Sequence, residues 1–227
     1  STFSGTSSGS SGTAISEAGP DSFSIELWFR TTSSTGGKLI GFGNASTGNS
    51  TTYDRHLYMS NNGRLNFGVN SGSTKTIATT AGYRDGNWHH VVASLSGAGM
   101  KLHVDGALQA SDSTVTAAQA YSGYWRVGGD RLANWPNMGS SAYIAGAIDE
   151  VAIYSGELSA ATVAAHYNTG ITPPINVAPV ASFTSSVEDL TASLDGSGSS
   201  DTDGTIAAYG WEFGDGARAT GATATHT

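Results

Sequence analysis

Apolar and polar residues alternate with period two along residues 23–30, which places Phe23, Ile25, Leu27 and Phe29 on one face and Ser24, Glu26, Trp28 and Arg30 on the other. This is the pattern of a strand with one buried face. The second face, polar with one aromatic, suits the open concave surface of a two-sheet sandwich. Residues 56–59 and 64–69 flank Asn61-Asn62-Gly63, and the Asn-Gly pair supplies the positive φ of a tight hairpin. Leu57, Met59, Leu65, Phe67 and Val69 are expected to point inward, with His56 and Tyr58 outward. A second hairpin runs through Trp88-His89-His90-Val91-Val92-Ala93-Ser94-Leu95, turns at residues 97–99, and returns along residues 101–104 to an Asp105-Gly106 turn. With further segments at residues 38–42, 75–79, 124–127 and 147–154, the total of about ten short strands predicts an all-β sandwich or barrel. One short helix is expected, capped by Ser159 and ended at Gly170.

Composition agrees with this picture and narrows the partners. The 227 residues include 31 Gly, no Cys and only 12% charged side chains, so there are neither disulfides nor thiolate metal sites. A formal net charge of -8 argues against nucleic acid and against an anionic membrane surface. No apolar run is long enough to span a bilayer, so membrane insertion is not expected. Ser1 to Gly5 already read as strand and turn, and any targeting segment is expected upstream of them. Three of the five prolines fall in residues 173–179, which reads as an extended linker. The expected organisation is a first domain over 1–172, a Pro-rich linker over 173–179, and a second domain over 180–227.

Two motifs carry a resemblance. "DGNWHHVVASLSGAGMKLHVDG", with "GAIDEVAIYSGELSAATVAAHY" downstream, resembles the laminin-G-like jelly rolls of the concanavalin A-like lectin and glucanase superfamily, as found in secreted actinobacterial proteins. The resemblance implies two antiparallel sheets in a jelly-roll sandwich. Residues 180–216 end in Trp211-Glu212-Phe213-Gly214-Asp215-Gly216, which resembles the Trp-Asp-Phe-Gly-Asp-Gly hallmark of PKD-type immunoglobulin-like sandwiches, with Glu in place of Asp at 212. The final strand pair of that family does not follow, and the first domain begins late relative to its relatives. The second sandwich is therefore expected to be partial, and the sequence to be a fragment of a longer secreted chain.

Candidate chemistry is sparse. Retaining glycosidases need two carboxylates roughly 5 Å apart, whereas Asp149 and Glu150 are consecutive and should face opposite ways on a strand. No nucleophile elbow or zinc-protease helix is present, and catalysis is not expected. His89 and His90 likewise diverge, which favours hydrogen-bonded imidazoles over a shared metal ion. Calcium suits oxygen-rich rims. The laminin-G-like resemblance points to Asp149 as a contributor to a structural calcium site, with backbone hydrogen bonding as the alternative. Asp201 and Asp203, in Asp201-Thr202-Asp203-Gly204, could serve a second such site with Asn176, or could simply stabilise an Asx turn.

Glycan recognition needs an exposed aromatic platform beside planar hydrogen-bonding groups. Two loops qualify, one with Tyr53, Arg55 and His56, the other with Asp130, Arg131, Asn134 and Trp135. Trp135 is expected to stack on a sugar, because its Gly/Asn/Pro-rich loop gives it little reason to be buried; packing is the alternative, and an Asp130–Arg55 ion pair could pin the loops together. Trp125 and Trp88 are expected to pack. The chain thus reads as a non-catalytic extracellular carbohydrate-binding or adhesion module of a secreted or cell-surface protein. Its partners would be a glycan or surface polysaccharide and further domains of the parent chain. A structural spacer or protein–protein adhesion module without a sugar site is the alternative.

Overall fold

Thirteen strands and one helix make up the first unit, Ser1–Ile171, of a computed structural model that describes residues 1–7, 10–172 and 176–227; the second unit is Thr172–Thr227. The strands are β1 (Thr2–Ser4), β2 (Ser11–Gly12), β3 (Glu17–Ala18), β4 (Phe23–Arg30), β5 (Gly37–Gly43), β6 (Tyr53–Met59) and β7 (Arg64–Asn70). They continue as β8 (Thr74–Gly82), β9 (His89–Ser96), β10 (Gly99–Val104), β11 (Ala107–Asp112), β12 (Ser122–Val127) and β13 (Ala145–Tyr154), followed by α1 (Ala160–Ile171). One antiparallel sheet has the order β1-β13-β4-β9-β10-β11, and the other β2-β12-β5-β6-β7-β8, with β3 also on β12. The two-sheet antiparallel sandwich expected from the alternation is present.

The core lies between the sheets. Phe23, Ile25, Leu27 and Phe29 are buried together with Leu57, Met59, Leu65, Phe67, Val69, Val91, Leu95 and Trp125. Phe23 meets Phe67 edge-on at 6.1 Å and Trp125 at 5.5 Å, so Trp125 is a packing residue. Each such side chain contributes roughly 1.5–3 kcal/mol through burial. The hairpin of β10 and β11 turns on Asp105 (φ 51°) and Gly106 (φ 77°), both left-handed as a two-residue turn demands.

Each sheet also has an outward face, and the two are covered differently. On the β5–β6–β7 sheet, His56 and Tyr58 do point away from the core, yet both are fully buried, because residues 128–144 fold back over them as a roof. On the β4–β9 sheet the cover is α1. Ser159 Oγ accepts the Thr162 amide at 3.1 Å as its N-cap, and Val163 is buried. The helix passes through Gly170 rather than ending before it.

The second unit holds β14 (Thr184–Glu188), β15 (Thr191–Asp195) and β18 (Thr223–His226) in one sheet, and β16 (Gly210–Glu212) with β17 (Arg218–Thr220) in another. Trp211 donates its indole N–H to the Gly221 carbonyl at 2.8 Å and meets Phe183 edge-on at 5.6 Å. Among the described residues its apolar side chains remain largely open, with Phe183, Val187 and Leu190 all exposed. Residues 173–175 of the expected linker lie outside the described residues.

Candidate functional site

An open groove of about 800 Å³ lies on the outward face of the β4–β9 sheet, between β4, β13, the end of α1 and the segment before β9. Strand alternation puts Glu26 and Trp28 on that face, and β13 brings Ala152 opposite Glu26 and Asp149 opposite Trp28. Trp28 clusters with two further aromatic rings, His90 at 5.1 Å and Tyr167 at 5.9 Å, which lie 6.2 Å from each other. Trp88 also lines the groove. It is 40% exposed, with the Arg30 guanidinium 5.2 Å above its ring, which corrects the expectation that it packs away. Tyr154 and His166 complete the wall on the helix side.

A bulge shapes the acidic side. The pairing of β13 with β4 shifts register between Asp149 and Ala152, and Glu150 takes a φ of 49°. Consecutive residues of a regular strand would diverge, but the bulge re-aims them, so Asp149 and Glu150 both line the groove. The expectation that they face opposite ways is corrected by that one irregularity.

Glu26 anchors a hydrogen-bonded network along the groove. Its carboxylate accepts from His90 Nε2 at 2.7 Å, from Tyr154 Oη at 2.6 Å, and from His166 Nδ1 at 2.9 and 3.1 Å. Burial alone would raise its pKa, but these hydrogen bonds and the His166 charge outweigh it and hold the carboxyl down at about 2. Glu26 in turn pushes the Tyr154 phenol up to about 12. His89 points elsewhere, to Asp105 at 2.8 Å and Asp85 at 3.1 Å, so the adjacent histidines serve separate hydrogen-bonded clusters.

The loops expected to bind sugar are mostly closed. Trp135 is only 7% exposed; its ring lies over Gly68, where a Cβ would come within 2.4 Å, and against His56 at 4.5 Å. A ring seated on bare backbone in this way has no free face for a pyranose, and the expectation of an exposed stacking platform is corrected accordingly. Arg55 and His56 are fully buried, as is Asp130. Arg55 pairs with Asp54 at 2.6 Å and lies 3.8 Å from Asp21, whereas Asp130 lies 3.7 Å from Lys38. The Asp130–Arg55 pair considered as an alternative is thus replaced by separate partners for each residue. Tyr53, half-buried, donates to the Ala133 carbonyl at 3.1 Å and carries the Arg131 guanidinium 5.7 Å from its ring. Arg131 and Asn134 are exposed on the roof, and Asn134 has a φ of 66°.

Of the oxygen donors expected for calcium, Asp149 belongs to the first unit, whereas Asp201 and Asp203 neighbour each other in the second. Asp149 is exposed in the groove, and among the described residues no group of three or more His, Cys, Asp or Glu side chains is placed to hold a metal ion. Asp203 accepts the Val177 amide at 3.0 and 3.3 Å, and Asp201 accepts the Asp203 amide at 3.3 Å. The latter is the geometry of an Asx turn.

Comparison with known families follows the same division of the chain. Residues 4–164 match the family described as the concanavalin A-like lectin/glucanases superfamily. The chain belongs to this superfamily. Residues 176–227 match a PKD domain, and no curated protein matches the chain. Among solved structures, superfamily-like folds recur at low identity. The heptameric SAP-like pentraxin of Limulus polyphemus is 17% identical over 72% of this chain and 78% of that one, with a TM-score of 0.53. The binding domain of botulinum neurotoxin serotype G is 14% identical over 74% of this chain and 42% of that one, at 0.54. Domains LG4-5 of the mouse laminin α1 chain are 18% identical over 70% and 43%, at 0.51. At such identities the likeness is one of fold. Sequence reasoning missed the groove residues Trp88, Tyr154 and His166, although the alternation in β4 had set Trp28 and Glu26 on an open face.

Proposed function

We propose that the first unit is a non-catalytic carbohydrate-binding or adhesion module that works outside the cell as part of a larger chain, and that its ligand lies in the Trp28–Trp88 groove. The observation that carries this reading is the pairing of an exposed indole, Trp88, with planar hydrogen-bonding groups on Asp149, Glu150 and Tyr154 around one open groove. An aromatic face takes the apolar side of a sugar ring while carboxylates and hydroxyls accept and donate to its hydroxyl groups. The lectin-like superfamily supports the same reading. The test is retention on immobilised polysaccharides, chosen from a glycan array, for the wild type and Trp88→Ala. Retention that is lost in Trp88→Ala with an unchanged melting temperature supports the groove; undiminished retention removes it.

A second reading, a spacer without a sugar site, is favoured by the closed face of the β5–β6–β7 sheet, where the roof fills the surface on which a ligand would otherwise rest. An array on which the folded wild type binds no glycan would support that reading.

A further inference from the structure

The roof covers an ionic pair with unusual surroundings. Of the three lysines in the chain, Lys38 is the one that is fully buried. Its Nζ donates to the Arg131 carbonyl at 2.7 Å and lies 3.7 Å from Asp130 Oδ2, with neither side chain exposed. Asp130 Oδ1 accepts the Ser50 amide at 3.0 Å, while Oδ2 has no hydrogen-bond partner. Two glycines of β5 clear the space. A Cβ at Gly41 would meet His56 Nδ1 at 2.3 Å and Lys38 Cδ at 3.2 Å, and one at Gly43 would meet Asp130 Oδ2 at 2.7 Å. Glycine within a strand marks such close approach. Both ring nitrogens of His56 are buried and unpartnered.

We propose that Lys38 and Asp130 condense to an intramolecular amide that joins β5 covalently to the roof. Two buried, incompletely hydrogen-bonded charges are costly to desolvate, and a neutral amide removes both. Fixed placement of amine and carboxyl replaces a bimolecular encounter. Proton transfer within the pair first turns ammonium and carboxylate into amine and carboxylic acid; burial holds the Lys38 amine down at about 7 despite the opposing charge of Asp130. The Nζ lone pair then attacks Cγ, the Nζ–Cγ bond forms, and the Cγ–Oδ2 bond breaks. Oδ2 leaves as water, carrying the acid proton and one proton from Nζ. His56, which burial holds neutral, has one N–H and one lone pair and relays that second proton. No oxidant or co-reactant is consumed.

The experiment is denaturing intact-mass spectrometry of the folded wild-type chain after prolonged incubation, followed by proteolysis and peptide sequencing. The expected result is a mass lower by one water molecule and a branched peptide joining Lys38 to Asp130. Lys38→Met and Asp130→Ala should each restore the full sequence mass. If those variants fail to fold, the wild-type peptide map decides alone. A full mass with Lys38 free for acetylation after denaturation would overturn the proposal, as would a water loss that maps to other residues.

Discussion

Gly170 lies so close to the Trp28 indole that a Cβ on it would fall 2.3 Å from Trp28 Cζ2. The last turn of α1 can close on the groove floor because that side chain is missing. Gly170→Ala gains up to about 1 kcal/mol of helix propensity but forces overpacking that typically costs about 1–3 kcal/mol. The expected net result is a loss of about 1 kcal/mol, read as a melting temperature lower by roughly 2–4 °C. Gly156→Ala, where a Cβ meets nothing within 4 Å, serves as the control without a clash.

Acid should loosen the same region. A carboxylate held at about 2 in the fold, against an ordinary value near 4.5 when unfolded, contributes stability that is fully present above the unfolded pKa. That contribution is lost as pH falls from about 4.5 through about 2. Glu26→Gln should therefore be less stable than wild type at neutral pH by on the order of 2 kcal/mol after allowance for solvent screening. The two melting temperatures should converge near pH 2.

The opposite dependence is expected at His89. Its bond to Asp105 raises its pKa, burial opposes this, and Asp85 adds to the rise; Tyr83 packs edge-on against the ring at 5.0 Å. Only the imidazolium donates from both nitrogens to two carboxylates. A raised folded pKa gives stability that is fully present below about 6.5 and lost as pH rises through the folded value. The stability gap between wild type and His89→Gln, followed by denaturant unfolding across pH 5–9, should be widest at the acid end and shrink toward the alkaline end. A pH-independent gap would mean that the ring acts by packing alone.

Trp135→Ala and Trp88→Ala should separate cleanly. The buried Trp135 side chain is seated on Gly68 and His56, and its removal should cost about 3–5 kcal/mol. Trp88, being substantially exposed, should cost under about 1 kcal/mol. Chemical denaturation of both variants checks the order.

Much of the sandwich was legible because period-two alternation survives wherever one strand face is buried. Phe23 to Phe29, and Leu57 with Met59, obey it. The pattern is silent about what covers the other face. His56 and Tyr58 alternate as outward residues do, and only a roof drawn from residues 128–144 buries them. A Gly/Asn/Pro-rich loop looks solvent-exposed by composition. The available signal lay elsewhere, in Gly41, Gly43 and Gly68, strand glycines that mark the approach of another side chain or backbone. The bulge at Glu150 had no signal at all, since an ordinary glutamate occupies a left-handed position that is uncommon for residues other than glycine. This single unheralded irregularity gathered Asp149 and Glu150 into the candidate site.

The roof also sets an order of events for the folding chain. Its ties reach across long loops: Lys38 to Arg131 spans 93 residues, Ser50 to Asp130 spans 80, and Tyr53 to Ala133 spans 80. Closing such loops costs chain entropy before any contact rewards it, and Gly68 offers Trp135 a seat only once β7 has formed. The roof therefore seats Trp135 on a β7 strand that has already formed.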